Sequence, residues 1–326
     1  MSYTYGAETT AEELVSRLGD QIKGKIILTT GVSPGSLGAV FLDSIASAKP
    51  GLLILASRNL SKVQKTADAL ASAHPSVQTR PLQLDLGSCA AVRESAAVVN
   101  GWDDVPKIDV LVNNAGIMGV DFTLTPDGHE TTFATNHLGP FLFTNLIMGK
   151  LLAAEKPRVI NISSDGHRLN PIRWGDYNFH NGETYNKWFA YGQSKTANML
   201  MAVSLAQKLG PKLLAFSLHP GTIMTNLTTH LVSEDGWLEV VRASDKVLGN
   251  SDGWKDYSWK TEQQGAATHV FASFDPSISE NNGAYLDDCH VADPWTQTVR
   301  PWGTSPVEAE RLWKLSELLV GQSFNY

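Results

Sequence analysis

Cysteine is scarce in this sequence, which limits the ways in which the fold can be held together. Cys89 and Cys289 are the two cysteines among 326 residues, and neither has metal-ligand spacing around it. A disulfide framework is therefore not expected, and a reducing compartment is favoured. A metal site is not expected either.

Basic charge and long apolar runs are also lacking. The formal net charge is −7, which argues against a nucleic-acid partner, because a polyanion requires a basic face. No stretch approaches the ~20 apolar residues that span a bilayer. Residues 1–21 are polar and do not resemble a signal peptide. We expect a cytoplasmic protein without a membrane anchor.

Internal repeats, charge runs and low-complexity linkers are absent as well. The simplest division is therefore one domain over residues 1–326, in which residues 1–23 form an N-terminal extension. Apolar residues make up 42% and charged residues 18% of the chain, as in ordinary globular enzymes. A chain of this length can bury a large core.

Short apolar runs alternate with amphipathic stretches along most of the chain. Seven runs predict strands, at residues 24–31, 51–59, 77–88, 107–116, 157–164, 212–221 and 283–287. Continuous apolar strands separated by helices indicate parallel strands that are buried on both faces. We predict an α/β fold of Rossmann type: a doubly wound, seven-stranded, mainly parallel sheet with helices on both faces.

Four of the predicted helices are marked by an apolar pattern or by a start signal. Residues 135–152 are mostly apolar and predict one long helix, and residues 191–210 predict another. Two later helices carry start signals, because Thr261 with Gln264 and Ser305 with Glu308 have the spacing of capping boxes.

A glycine-rich loop follows the first predicted strand. The segment TTGVSPGSLGA, residues 29–39, holds Gly31, Gly35 and Gly38 in the spacing G-x-x-x-G-x-x-G. This is one residue longer than the G-x-x-x-G-x-G spacing that it most resembles. The loop lies between a strand and a helix, which is the context of a phosphate-binding loop. A plain glycine-rich turn is the alternative.

Further polar clusters follow the other predicted strands, where an open parallel sheet binds its ligands. With the glycine loop, they comprise Asp85, the NNAG run 113–116, Asn136, Ser164, the YGQSK run 191–195 and Pro220–Gly221. Over about residues 24–290, this set resembles the short-chain dehydrogenase/reductase superfamily, and the closer likeness is to its retinol-dehydrogenase-like and WW-domain-oxidoreductase-like members. The combination of TGVSPGSLGA with YGQSKTANMLM further resembles members from filamentous fungi, many of them in secondary metabolism.

The resemblance implies a catalytic set of Asn136, Ser164, Tyr191 and Lys195. Tyr191 and Lys195 lie four residues apart, so they share one face of a helix, and a lysine ammonium lowers the pKa of a nearby phenol. Ser164 would bond the substrate oxygen, and Asn136 would hold a water in a proton relay. The alternatives are an exposed helical pair at Tyr191 and Lys195, and a strand-end cap at Ser164.

The resemblance also implies an NADP(H) site. An arginine at the end of the second strand, Arg58, suits a ribose 2′-phosphate through charge-assisted bonds, and Lys62 would add charge. A solvent-facing arginine is the alternative. We read the glycine loop as a dinucleotide loop with one inserted residue. The complete predicted cofactor set is Gly31, Ser33, Gly35, Ser36, Leu37, Arg58, Asp85, Leu86, Asn113, Ala115, Gly116, Tyr191, Lys195, Pro220, Gly221, Ile223 and Thr225.

The expected function is NADP(H)-dependent interconversion of a secondary alcohol and a ketone or aldehyde. Segments 165–190 and 226–260 are expected to border the substrate. Their aromatic residues indicate a bulky lipophilic or aromatic substrate, with Trp254 and Trp259 in a lid; a satellite core is the alternative. A non-catalytic nucleotide sensor and a lyase or epimerase are rival functions, and a homodimer is left open. The aromatic residues in question are Trp174, Tyr177, Phe179, Tyr185, Trp188, Phe189, Trp254 and Trp259.

Overall fold

Eight strands form a single sheet in the computed structural model of the protein, which describes residues 5–228, 236–248 and 258–326. Their order across the sheet is β3-β2-β1-β4-β5-β6-β7-β8. Every neighbouring pair is parallel except β7 and β8. The strands are β1 (Ile26–Thr30), β2 (Leu52–Ser57), β3 (Thr79–Gln83), β4 (Val110–Asn113), β5 (Arg158–Ile162), β6 (Leu214–His219), β7 (Tyr285–Asp287) and β8 (His290–Val291).

The predicted doubly wound sheet is confirmed, with one strand more than expected. The additional strand β8 is two residues long and returns antiparallel to β7 through Asp288 and Cys289. Both turn residues have positive φ, 48° and 60°. Tight hairpins with this backbone normally have glycine at the second turn position, where this chain has Cys289, so the sequence carried no complete hairpin signal at this point.

Helices cover both faces of the sheet, as predicted. The helices are α1 (Ala11–Ile22), α2 (Leu37–Ala46), α3 (Leu60–Ala73), α4 (Cys89–Asn100), α5 (Thr131–Phe133), α6 (Gly139–Leu146), α7 (Met148–Leu152), α8 (Lys187–Leu209), α9 (Trp237–Val247), α10 (Glu262–Phe274), α11 (Pro301–Thr304) and α12 (Pro306–Val320). One apolar core joins α4, α6, α8 and α12 to the sheet, and a second joins α1, α2, α3 and α10 to the opposite face. No helix in the described part of the chain is long and apolar enough to cross a membrane.

The helix predicted over residues 135–152 is divided. Residues Ala134–Leu138 form a turn of π-helix, α6 follows at Gly139, and Ile147 separates α6 from α7. Pro140 has no N–H, so it cannot donate the usual helical hydrogen bond to the carbonyl of Asn136. Single π turns inside helices frequently occur at functional sites.

The two capping signals have different outcomes. Thr261 and Gln264 form a complete capping box at the start of α10. At the start of α12, the Ser305 hydroxyl accepts from the Glu308 N–H. The Glu308 carboxylate, however, accepts from the Trp174 indole N–H at 2.6 Å and from Arg311. The Glu308 side chain therefore bonds to Trp174 and Arg311, and the predicted capping box has only its Ser305 half.

Candidate active site

A cavity of about 810 Å³ opens at the carboxyl ends of β1, β2, β4, β5 and β6. Its volume is typical of a small-molecule site. Sixteen of the predicted site residues line it, while Gly35, Asn113 and Asn136 do not. The lining residues are Gly31, Ser33, Ser36, Leu37, Arg58, Asp85, Leu86, Ala115, Gly116, Ser164, Tyr191, Lys195, Pro220, Gly221, Ile223 and Thr225.

The glycine loop packs directly on the end of β4. Gly31 has φ +72°, and a Cβ there would lie 2.6 Å from the Cα of Ala115, so no side chain fits. A Cβ on Gly38 would lie 2.6 Å from the Asn114 amide nitrogen. The Asn114 side chain donates to the carbonyls of Thr30 and Gly31 at 2.9 and 3.0 Å. The loop therefore exposes backbone, which is what a dinucleotide phosphate approaches.

The inserted part of this loop is tied to the opposite wall of the cavity. Gly35 has φ +76° and does not line the cavity. The Asn226 side chain, in the segment after β6, donates to the carbonyl of Pro34 at 2.7 Å. Ser36 caps α2 by accepting from the Ala39 N–H at 3.2 Å. The inserted residue thus belongs to a bridge between the loops after β1 and β6.

The end of β2 presents positive charge to the cavity. Arg58 and Lys62 line it and are exposed, and in the described residues no carboxylate forms an ion pair with either. Asn59, between them, caps α3 by accepting from the Lys62 N–H at 3.1 Å. On the neighbouring loop, the Asp85 carboxylate accepts from the Gly87 N–H at 3.0 Å. Two cations and no anion at the tip of β2 fit a phosphate on the ribose 2′-oxygen.

Ser164, Tyr191 and Lys195 meet in the wall of the cavity, where Tyr191 and Lys195 are buried. The Ser164 hydroxyl accepts from the Gly166 N–H at 3.0 Å. The Lys195 Nζ donates to the Ile162 carbonyl at 3.0 Å and lies 5.4 Å from the centroid of the Tyr191 ring. Burial raises the pKa of Tyr191 to about 12, against a lowering by its hydrogen bond with Ser164. Burial also lowers the pKa of Lys195 to about 8.

Asn136 is buried behind this group, in the π turn. Its side-chain oxygen accepts from the Ile117 N–H at 2.8 Å, and its amide donates to the Ile117 carbonyl and the Ser194 hydroxyl, each at 2.9 Å. The side chain therefore fixes the loop after β4 to α8. Its main-chain carbonyl lacks the usual helical donor, because Pro140 has no N–H.

Asn113, which was predicted to bind the cofactor, does not line the cavity, whereas its neighbour Asn114 does. The Asn113 amide is buried in the sheet and donates to Thr144 and Asn161 at 3.1 and 2.9 Å. Asn114 lines the cavity and supports the glycine loop, and its side-chain oxygen lies 3.3 Å from His269 Nε2. Of this pair, it is Asn114 that reaches the predicted cofactor space.

Part of the cavity wall is apolar. Leu169, Trp188 and Val241 form a buried cluster there, with Met118 and Trp237 packed against it. The Trp188 and Trp237 rings stack at 5.8 Å, and Trp259 lines the same cavity with 48% of its surface exposed. The other aromatic residues of segment 165–190 do not line it. Trp254 lies outside the described residues.

Most of those other aromatic residues pack elsewhere. Tyr185 contacts Phe122 and Phe179, and its hydroxyl donates to the Val120 carbonyl. Trp174 contacts Glu308 and Arg311 of α12. For these residues the satellite-core alternative describes the contacts.

Comparison with known proteins agrees with this architecture. A family model described as short chain dehydrogenase matches residues 25–178. The chloroplastic short-chain dehydrogenase TIC 32 A of Brassica napus is 33% identical, and the match covers 97% of this chain and 94% of that protein. The protein belongs to the short-chain dehydrogenase/reductase superfamily.

Other relatives place this short-chain dehydrogenase in the retinol-dehydrogenase-like branch, as predicted. Mouse retinol dehydrogenase 14 is 30% identical over 91% of this chain and 86% of its own length. The short-chain dehydrogenase/reductase prx1 of Penicillium roqueforti is 34% identical over 93% and 87%.

Solved structures match the fold as well. An uncharacterised protein from Mycobacterium Paratuberculosis has a TM-score of 0.67 and 29% identity, over 94% of this chain and 96% of that one. A short-chain dehydrogenase from Escherichia coli CFT073, solved with NADPH, has a TM-score of 0.61 at 20% identity, over 83% and 98%.

Several residues at the site of this dehydrogenase were not singled out from the sequence. His219, the last residue of β6, lines the cavity and accepts from the Asp165 N–H at 3.2 Å. Asn226 and Trp237 also line it. His219 stood next to the predicted Pro220, so its position at a strand end was a usable signal. Asn226 and Trp237 belong to segment 226–260, which the sequence predicted to border the substrate, but nothing in the sequence distinguished them within it.

Proposed function

We propose that the protein is an NADP(H)-dependent oxidoreductase that interconverts a secondary alcohol and a ketone or aldehyde. The observation that carries the proposal is that Ser164, Tyr191 and Lys195 meet in the wall of the cavity that Arg58 and Lys62 also line. The first three groups suit proton transfer to a carbonyl oxygen, and the two cations suit a dinucleotide with a 2′-phosphate. When bound, the nicotinamide cofactor supplies the hydride.

Each catalytic residue has a distinct task in this proposal. Burial raises the pKa of Tyr191 to about 12, so the phenol carries its proton at neutral pH and can donate it to a developing alkoxide. Ser164 hydrogen-bonds the same oxygen and orients it. Lys195 stabilises the phenolate that remains, and Asn136 keeps Ile117 and Ser194 in place beside it.

NADP(H) specificity rests on the positive end of β2. NAD-dependent relatives of this fold place an acidic residue at this point, where it bonds the ribose 2′-hydroxyl. Here the strand ends in Ser57, Arg58 and Asn59. The NADPH-bound dehydrogenase of similar fold lends further support.

A bulky lipophilic substrate is supported by the apolar wall. Trp188, Trp237 and Val241 face the same cavity as Tyr191 and present ring and branched aliphatic surface. Such walls bind apolar bodies, while the few polar groups fix their orientation. The proposal also includes a cytoplasmic location, which the amino-acid composition favours, and a role in fungal secondary metabolism, which the family resemblance implies. A homodimer is left open.

The test is a panel of small and bicyclic ketones and aldehydes with NADPH and NADH, assayed by cofactor absorbance. We expect NADPH-dependent reduction of the bicyclic compounds. Tyr191→Phe should bind NADPH with unchanged affinity and lose roughly 10²–10⁴-fold in turnover, because it removes only the acid–base proton. Preference for the small ketones would refute the bulky-substrate part alone.

The same panel separates the two rival functions. A nucleotide sensor would bind NADPH without consuming it with any carbonyl compound. A lyase or epimerase would convert substrate without net consumption of cofactor. Turnover of Tyr191→Phe close to that of the wild type would remove this residue from the mechanism.

A further inference from the structure

His167 is a fully buried histidine three residues after Ser164 in the sequence. It is 0% exposed and belongs to the 3₁₀ turn Asp165–Leu169, directly after the serine. Its ring packs edge-on against Tyr285, with 5.3 Å between centroids. It does not line the cavity, so a direct contact with the substrate is not its role.

Both ring nitrogens of His167 have partners, and these partners define the tautomer. Nδ1 lies 2.8 Å from the Ser164 carbonyl oxygen, which only accepts, so Nδ1 carries the proton. Nε2 lies 3.1 Å from the main-chain nitrogen of Arg300, which donates, so Nε2 is unprotonated. The ring is therefore neutral, in agreement with a pKa that burial lowers to about 4.

The ring connects the serine to the start of α11, whose N-cap is Arg300. The indole N–H of Trp302, in the first turn of α11, donates to the His167 carbonyl at 3.1 Å, so the start of this helix holds both the ring and the backbone of His167. The serine is held at both of its oxygens. Its carbonyl accepts from the His167 ring and main-chain N–H, and its hydroxyl accepts from the Gly166 N–H.

We infer that His167 is a positioning residue for Ser164, and that the main-chain N–H of Arg300 keeps its ring in the orientation and tautomer that this task requires. The inference rests on the proposed oxidoreductase function. It assigns a contribution to catalysis to residues 300–302, which lie outside the stretch matched by the family model.

The first test compares two amides that each retain one half of the ring's hydrogen bonding. In His167→Asn the amide nitrogen occupies the position of Nδ1 and can donate to the Ser164 carbonyl. In His167→Gln the amide oxygen reaches the position of Nε2 and can accept from Arg300, while the donor to Ser164 is lost. We expect kcat to fall roughly 10- to 100-fold in His167→Gln and to stay within about threefold in His167→Asn. KM and the Kd for NADPH should change little in both variants.

The second test removes the main-chain N–H of Arg300, which donates to His167 Nε2. Arg300 has φ −84° and is followed by Pro301, so its backbone conformation tolerates proline. Arg300→Pro and Arg300→Ala both lose the guanidinium, but only the proline variant loses the N–H that bonds to His167. We expect kcat to fall in Arg300→Pro relative to Arg300→Ala, because the proline Cδ replaces the hydrogen that points at Nε2 and so displaces the His167 ring.

Equal losses in the asparagine and glutamine variants, or equal kcat in the two Arg300 variants, would overturn the inference in favour of a purely structural histidine. A readout independent of turnover is the ¹⁵N spectrum of histidine-labelled protein. It should contain a neutral Nδ1–H ring that is absent from His167→Gln. Failure of the wild type to reduce any carbonyl would refute the proposed function, whereas an Nε2–H tautomer at His167 would refute this inference.

Discussion

The chemistry at Tyr191 depends on a balance between burial and a few polar contacts. Burial favours the neutral phenol, which is the form that donates a proton during carbonyl reduction. Alcohol oxidation requires the phenolate, whose stabilisation must come from Ser164, Lys195 and the charge of the oxidised cofactor. Small displacements among these groups should therefore alter turnover more than they alter folding or cofactor binding.

Gly166 tests this sensitivity, because a side chain there would enter the space between Ser164 and Tyr191. A Cβ on Gly166 would lie 2.7 Å from Tyr191 Cε1 and 3.3 Å from Ser164 Oγ. We expect Gly166→Ala to displace the Tyr191 ring and to lower kcat by roughly 100-fold, the cost of an ångström-scale misplacement. Gly175→Ala is the control, since nothing lies within 4 Å of its added carbon. Steady-state kinetics measure the effect, and equal activity in the two variants would contradict it.

A substitution of Arg58 tests whether this residue determines the preference for NADP(H) over NAD(H). Arg58→Asp should weaken NADPH binding by roughly 10- to 100-fold, because a charge-assisted contact to the 2′-phosphate is lost and repulsion is added. NADH binding should change much less. Lys65→Asp makes the same change in net charge at an exposed position of α3 that does not line the cavity. Fluorescence titration with each cofactor measures the Kd values. An equal increase in the Kd for NADH and for NADPH would show that Arg58 supports the fold and does not contact the 2′-phosphate.

Single residues also show how far the sequence could predict the site. The spacing of Tyr191 and Lys195 on one helix face followed from helical geometry alone. The roles of Asn113 and Asn114 did not, because successive residues of a strand point to opposite faces. Only the packing of β4 against Thr144 and Asn161 determines that Asn113 is the buried one.

At the scale of elements, regular segments were predictable and their interruptions were not. The apolar pattern of residues 135–152 correctly indicated helix, yet it contains no mark of the π turn that presents Asn136. Likewise, α8 begins at Lys187 rather than at Tyr191, because Asn186 accepts from the N–H groups of Trp188 and Phe189. This earlier start adds Trp188 to the helix and brings its ring to the cavity wall.

The bridge between the loops after β1 and β6 yields a prediction at this scale. In Asn226→Ala the hydrogen bond to the Pro34 carbonyl is lost, and the glycine loop is no longer tied across the cavity. We expect NADPH to bind about 2- to 10-fold more weakly, as for the loss of one hydrogen bond, through faster dissociation. Stopped-flow fluorescence measures the dissociation rate.

Met224→Ala provides the matched control for this bridge. Met224 lies in the same loop, is 49% exposed and does not line the cavity. An unchanged dissociation rate in Asn226→Ala, or an equal change in both variants, would show that the bridge does not retain the cofactor.

At the scale of the whole molecule, α12 forms hydrogen bonds with the segments that follow β4 and β5, although it is distant from them in sequence. Its Ser316 hydroxyl lies 2.8 Å from His137 Nε2, in the π turn next to Asn136. The Leu319 carbonyl lies 3.1 Å from His129 Nε2, and Glu308 accepts from Trp174. The sequence indicated this helix through the capping signal of Ser305 and Glu308, but it could not indicate what the helix would cover.

The last prediction concerns the contribution of α12 to the stability of the whole fold. Trp313 is 3% exposed and packs edge-on against Phe141 of α6, with 4.9 Å between ring centroids, while Lys208 of α8 lies over its ring. Trp313→Ala should therefore lower the free energy of unfolding by about 3–5 kcal/mol, the usual cost of removing a buried tryptophan. Leu318→Ala is the control on the same helix, because Leu318 is 75% exposed and should cost well under 1 kcal/mol, about 0.5 at most. Urea denaturation measures both values. If α12 is part of the common core, Trp313→Ala should unfold at a much lower urea concentration than Leu318→Ala. Similar unfolding midpoints in the two variants would show that α12 is peripheral to the fold.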